Sequence, residues 1–253
     1  MAHLGPKALA YLPEATVGVK NVGLCPRGVK YEVYAVSKAH QIVARQAPDS
    51  TSPEPGYRVL VDWFSPGLAS DGHEKYLLFK DEFSGFGWIF LCLYNNVSSV
   101  RHFESFFTYV QNQYRVRFKA LRIDKEPHIS TAQLVTYLDE LGVDYEEVPT
   151  ATPAQGGGYE RAGGVINAKA RAIFIATRFP EEDLWPEVIH TATLLVNLTP
   201  RYQNGWESPW MVWHEAANRR LNTAYFVEKP DVSFMRVLGC RAYPLNEIGK
   251  AIA

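Results

Sequence analysis

Cysteine is scarce in this chain: 253 residues carry three. Cys25, Cys92 and Cys240 are far apart and form no Cys-x-x-Cys pair, which argues against a disulfide framework or a thiolate metal site and makes a reducing compartment the default. Long apolar runs are also missing. The longest, Trp88 to Tyr94, falls well short of the roughly 18 to 20 residues that cross a bilayer, so no membrane span is expected. The opening MAHLGPKALAYL lacks a basic segment followed by a long apolar stretch and a small-residue cleavage site, so no secretory signal is expected. The Asn-x-Ser/Thr matches at Asn96 and Asn197 then read as chance. Charge of one sign is absent as well: Lys plus Arg total 26 against 27 Asp plus Glu, a net charge of -1. Overall charge gives no push toward nucleic acid, and any such binding must come from local patches. What is abundant is apolar surface, with 47% hydrophobic and 13% aromatic residues, enough for a substantial core and incompatible with wholesale disorder.

Residues 1–56 read as an appendage with recurrent Gly and Pro, ending in the linker-like QAPDSTSPEPG. From Tyr57 the pattern sharpens. RVLVDWF (58–64), KYLLFKD (75–81) and GWIFLCLY (87–94) are three strand candidates separated by Gly-containing turns, as in an antiparallel meander. Val100, Phe103, Phe107, Val110 and Tyr114 recur at helical spacing, with Ser98 and Ser99 available as caps. ALRID (120–124) reads as a buried strand, Thr131 to Leu141 as a helix, VDYEEV (143–148) as a fifth strand and Tyr159 to Arg178 as a helix despite Gly163 and Gly164. A further helix is expected to begin at Trp185 with Pro186 in its first turn and to end near Pro200. The rest has weak periodicity.

Three acids stand at telling places: Asp62 inside the first strand, Asp124 at the end of the fourth, and Glu160 at the start of the helix after a glycine-rich loop. A carboxylate within VLV-D-WF is expensive to bury without a partner. If the first and fourth strands are neighbours, Asp62 and Asp124 lie side by side, and the helix after the fifth strand can bring Glu160 to the same edge. Converging carboxylates repel one another, and divalent cations with oxygen ligands relieve that repulsion. Two Mg²⁺ or Mn²⁺ ions about 3.5 to 4 Å apart serve in-line phosphoryl transfer. Each acid taken alone also reads as an ordinary strand-end or first-turn residue.

The words around the acids carry more. VLVDWFSP, KYLLFKDEFSGFGWIFLC, ALRIDKEP, TPAQGGGYERAGGVINAKARAI and KPDVSFMRVLGCRAYPLN together resemble the integrase of copia-type long terminal repeat retrotransposons, in the retroviral integrase superfamily; the last word is similar to one in fungal elements. The resemblance implies an RNase H-like α/β fold, a five-stranded mixed sheet flanked by helices. It also implies metal-dependent polynucleotidyl transfer by Asp62, Asp124 and Glu160 holding two Mg²⁺ or Mn²⁺ ions, DNA as partner, a homo-oligomer and nuclear action. By the same resemblance residues 1–56 match a degenerate zinc-binding segment, 57–200 the catalytic core and 201–253 its extension.

The departures from the family's words are specific. Tyr31 and Tyr34 occupy the expected Cys-x-x-Cys, and His3 alone matches a ligand, so no structural zinc is expected. Lys125-Glu126 and Gly156-Gly157 stand where the family has Asn-Gly. Because Met1 falls inside a motif, the chain reads as a fragment of a polyprotein or a decayed reading frame. The helix after the glycine loop carries Arg161, Lys169, Arg171 and Arg178 without an acid from 161 to 179; Arg161, Lys169 and Arg171 are the expected DNA contacts. Two rival readings stand beside the integrase: a relic or domesticated fold that binds nucleic acid or protein without turnover, and a plain RNase H-like nuclease.

Overall fold

The structure, a computed structural model, describes residues 6–19, 52–93, 100–124, 131–148, 159–177, 181–221, 227–236, 238 and 240. Strands β1 (Arg58–Phe64), β2 (His73–Asp81) and β3 (Gly87–Leu93) come first, followed by helix α2 (Arg101–Tyr114), β4 (Ala120–Asp124), α3 (Thr131–Leu141), β5 (Asp144–Val148), α4 (Tyr159–Thr177), α5 (Glu181–Leu198) and α6 (Pro209–Leu221). Helix α1 (Pro6–Ala15) precedes them all. The five strands form one sheet in the order β3-β2-β1-β4-β5. β1, β2 and β3 pair antiparallel as a meander, while β4 and β5 run parallel to β1. This mixed sheet with helices on both faces is the expected RNase H-like architecture.

Alternation along β1 and β2 separates two cores. Val59, Val61, Leu77 and Phe79 enter an aromatic-rich core with Phe103, Phe106 and Phe107 of α2 and Leu134 and Leu138 of α3. Phe79 stacks on Phe106 at 4.0 Å between ring centres. On the opposite face Tyr76 and Leu78 pack with Ile166, Ala170 and Ile173 of α4 and Trp185, Val188 and Ala192 of α5. The alanines allow the helices to sit close to each other and to the sheet.

Three details differ from the sequence expectation. Helix α2 starts at Arg101 with Val100 as its N-cap and no side-chain cap hydrogen bond, since valine has no acceptor to offer; Ser98 and Ser99 lie outside the described residues. Helix α5 starts at Glu181, not at Trp185, so Pro186 lies inside it. The run Glu181-Glu182-Asp183 forms the first turn, where acids suit the positive end of the helix dipole, and Pro186 withholds only one N–H near that end. Helix α6 emerges from the stretch of weak periodicity and delivers Trp213, wholly buried, against Trp88 at 4.8 Å and Phe86 at 6.0 Å.

The appendage adds α1 to the fold. Leu12 of this helix is buried, Tyr11 stacks on Trp206 at 4.5 Å, and Val17 bridges to Asp231. The end of the linker is held too: Ser52 donates through both N–H and hydroxyl to Glu82, at 3.0 and 2.6 Å. Asn197 is buried and clamps α5 to β3, accepting from the Gly87 N–H at 2.9 Å and donating to its carbonyl at 2.8 Å. That excludes it as a glycan acceptor in the folded chain. Asn96 lies outside the described residues.

Candidate active site

Parallel pairing of β1 with β4 ends its register at Val61 opposite Ile123. One residue further along the same register, Asp62 and Asp124 stand at the same level on adjacent strands, about 4.8 Å apart in strand spacing. Leu121 and Ile123 enter the aromatic core, so position 124 falls on the other face of the sheet, with Asp62 and Phe64. Asp62 is half-buried, and its Oδ1 accepts the N–H of Trp63 at 2.9 Å.

Glu160 lies in the first turn of α4, and the helix is seated against the same face. A Cβ on Gly163 would fall 2.0 Å from the Phe64 ring; only glycine permits α4 to lie this close to β1. One turn further on, Asn167 accepts the Tyr76 hydroxyl at 2.7 Å. Positions 160, 163 and 167 share one helical row, because residues three and four apart are neighbours on a helix. Two points of the row are therefore held on the sheet, and position 160 is the next point along it. Gly163, which reads from sequence as a weakness of the helix, is the residue that lets it dock. Its neighbour Gly164 faces open space.

Tyr76 is wholly buried. Its ring stacks on Phe64 at 4.9 Å and leans on Trp185 at 5.9 Å, and Trp185 in turn donates Nε1–H to the Gly67 carbonyl at 3.0 Å. Burial, joined by the negative charge of Asp62, pushes the phenol pKa well above its ordinary value. Tyr76 therefore stays protonated and serves as a donor. Sequence reasoning overlooked both Tyr76 and Asn167; the spacing 160, 163, 167 was the signal that could have found Asn167.

Toward the other end of the same strands, four charges tie β1, β4 and β5 together. Arg58 bonds Glu82 at 2.8 Å and Glu146 at 3.0 Å, and Arg122 bonds Glu146 at 2.6 Å and faces Glu82 at 3.6 Å. Burial alone would lower the Arg58 pKa, but bonding to Glu82 and Glu146 raises it. Arg122 is two residues before Asp124, so the network holds the strand that carries the second acid. The carboxylate of Asp81, at the end of β2, accepts the N–H of Gly56 at 2.7 Å and both the N–H and hydroxyl of Ser84, at 2.7 and 2.6 Å. It closes the β2–β3 turn and anchors the end of the linker.

The expected DNA contacts separate on α4. At about 100° per residue, Lys169 and Arg171 stand about 160° apart around the helix, so they flank it on opposite sides. Arg171 is exposed and Lys169 half-buried; Arg171 lies close to the Glu160 meridian, three turns along. Arg161 sits in the first turn, next to Glu160. Tyr31, Tyr34, Lys125-Glu126 and the loop at 149–158 lie outside the described residues. Among the described residues, no group of three His, Cys, Asp or Glu side chains forms a metal-holding cluster. Cys92 is buried, which pushes its thiol up to about 11. No described helix is long and apolar enough to cross a membrane.

Comparison with known proteins gives relatives of one kind. The chain is 25% identical over 172 residues to the retrovirus-related Pol polyprotein from transposon TNT 1-94 of Nicotiana tabacum, covering 68% of this chain and 12% of the polyprotein. It is 24% identical over 210 residues to the corresponding polyprotein from transposon RE2 of Arabidopsis thaliana, covering 83% of this chain and 13% of the polyprotein. The chain thus spans about an eighth of the length of the curated relatives it matches. Among solved structures, the HTLV-2 integrase catalytic core domain in complex with magnesium (dimeric form) aligns with a TM-score of 0.47 at 15% identity, covering 64% of this chain and 99% of that one. No family model matches.

Proposed function

Retrovirus-related Pol polyproteins of plant transposons are homologues of this chain, and from that premise we propose that it is the integrase catalytic core of such an element. Its activity on this reading is metal-dependent polynucleotidyl transfer, both processing of DNA 3′ ends and strand transfer. What supports the proposal is the placing of the elements that carry the three acids. Continued by one residue, the parallel β1–β4 register sets position 62 level with position 124, and the contact of Gly163 with Phe64 seats α4, whose first turn holds position 160, on β1.

An all-carboxylate donor set at adjacent positions suits hard divalent cations such as Mg²⁺ or Mn²⁺. Asp62, Asp124 and Glu160 would hold them. Such ions, when bound, supply Lewis acidity to the attacking water or 3′-hydroxyl and to the leaving oxygen of a phosphodiester. The residues of the chain contribute position and charge: two strand acids at fixed spacing, a third acid from a helix docked through glycine, and a guanidinium network that holds β4. Arg161, Lys169 and Arg171 supply contacts to the DNA backbone. DNA ends and target DNA are the substrates, a homo-oligomer is the working assembly, and the nucleus is the place of action.

The test is disintegration of a branched DNA substrate in Mn²⁺ by the parent chain, Asp62→Asn and Glu160→Gln. Resolution by the parent with background levels in both variants is the expected result. Silence from a folded parent chain would favour the non-catalytic binding module, the reading to which the altered words at Lys125-Glu126 and Gly156-Gly157 point. Hydrolysis without joining would favour the nuclease.

A further inference from the structure

We propose that Tyr76 and Asn167 are positioning residues, a buried latch that sets the register of α4 on the sheet and thereby the placing of Glu160 against Asp62. This rests on the three-carboxylate reading above and extends it to residues that touch neither metal nor DNA. The Tyr76 ring cannot shift sideways: Phe64 stacks on it at 4.9 Å, Trp185 bounds it at 5.9 Å, and its backbone is paired with Phe64 in the β1–β2 ladder. Its hydroxyl is thus a fixed donor in a dry environment, and a buried hydroxyl needs a partner. The partner is Asn167 Oδ1 at 2.7 Å.

Asn167 lies seven residues, about 10 Å along the axis, from Glu160 on one row of α4, with Gly163 against Phe64 between them. A helix pinned at two points of one row can neither slide nor roll freely. The third point on that row is then determined. Phe64 is two residues from Asp62 on the same strand face, so both pins are referred to the strand that carries the first acid. Sites of this kind lose function when a supporting group lets a ligand move by about 1 Å.

The experiment is Mn²⁺ titration of the full chain, followed by the electron paramagnetic resonance of free Mn²⁺, for the parent, Tyr76→Phe, Asn167→Ala, their double variant and Asp62→Asn, with thermal melting of each. Tyr76→Phe keeps the ring and its stacking, so its fold is retained. Each single variant is expected to weaken Mn²⁺ binding about tenfold, the lower end for groups that orient metal ligands, and the double variant no more than either single one. Unchanged Mn²⁺ affinity with a lowered melting temperature would make the pair merely structural and overturn the proposal. Losses that multiply in the double variant would also overturn it, because a latch fails once. If Asp62→Asn binds Mn²⁺ as the parent does, the carboxylate reading itself falls; if only Asp62→Asn loses binding, the positioning role alone falls.

Discussion

The two faces of the sheet are built on different principles. On the face of α2, α3 and α6, rings interlock: Phe79, Phe106, Trp88, Phe118 and Trp213 meet edge to face or stacked, and the acid at its rim, Asp81, is wholly buried and saturated by donors. On the face of α4 and α5, small and aliphatic side chains surround one aromatic stack of Phe64, Tyr76 and Trp185, and a tyrosine–asparagine hydrogen bond sits among them. Its acid, Asp62, is only half-buried. Dense aromatic packing resists change and suits a foundation. A face of glycine, alanine and directional hydrogen bonds allows close approach at chosen points and suits a site whose parts must be set to a fraction of an ångström.

That contrast can be broken most forcefully at Trp213. Truncation of Trp213 to alanine should lower global stability by about 4 kcal/mol, in a single transition of urea unfolding. A separate early transition would show that α6 is not part of the aromatic foundation. The next effect belongs to Asp81, whose carboxyl is pushed by burial up to about 6 from an ordinary 3.8, against the pull of its Ser84 and Gly56 hydrogen bonds. The folded state then keeps a proton that the unfolded state releases, so raising the pH favours unfolding across that window. Between about pH 4 and pH 6.5 the parent should lose on the order of 2–3 kcal/mol relative to Asp81→Asn. Urea unfolding at intervals of pH measures the difference, and parallel curves for the two proteins would contradict the assignment.

Smaller effects distinguish the two adjacent glycines of α4. Alanine at Gly163 forces the Phe64 ring to give way and should destabilise by about 1–3 kcal/mol. Alanine at Gly164, where nothing lies within 4 Å, should stabilise the helix by about 0.5–1 kcal/mol. Thermal melting of the two variants should therefore move in opposite directions; equal shifts would mean that α4 does not dock on β1 through Gly163.

Much of the fold was legible because the apolar pattern is strong where the backbone is regular. RVLVDWF and ALRID are strands at their expected bounds, and Thr131 to Leu141 is a helix at its expected bounds. Helix α6 was not legible: Pro209, Trp210, Trp213 and His214 make a poor helical signature, and the stretch is helical because Trp213 fills the gap between Trp88 and Phe118. The start of α5 was misjudged because Pro186 looks like a boundary, whereas packing of Trp185 and Val188 against the sheet carries the helix past it. Of the candidate site, the three acids stood out by their positions in strand and first turn. Tyr76 was not distinguished from the rest of its strand, since its partner lies 91 residues away.

By itself the sequence determined the order of the elements from β1 to α5, the three acidic positions and the family they resemble, because these depend on local periodicity and on short words. Only the tertiary structure decided that β1 lies beside β4, that Gly163 rather than Gly164 is the docking point, and that Tyr76 reaches Asn167. Those are relations between distant segments. They are set by which side chains exclude water together and by which buried donor must find an acceptor, and neither can be counted along the chain.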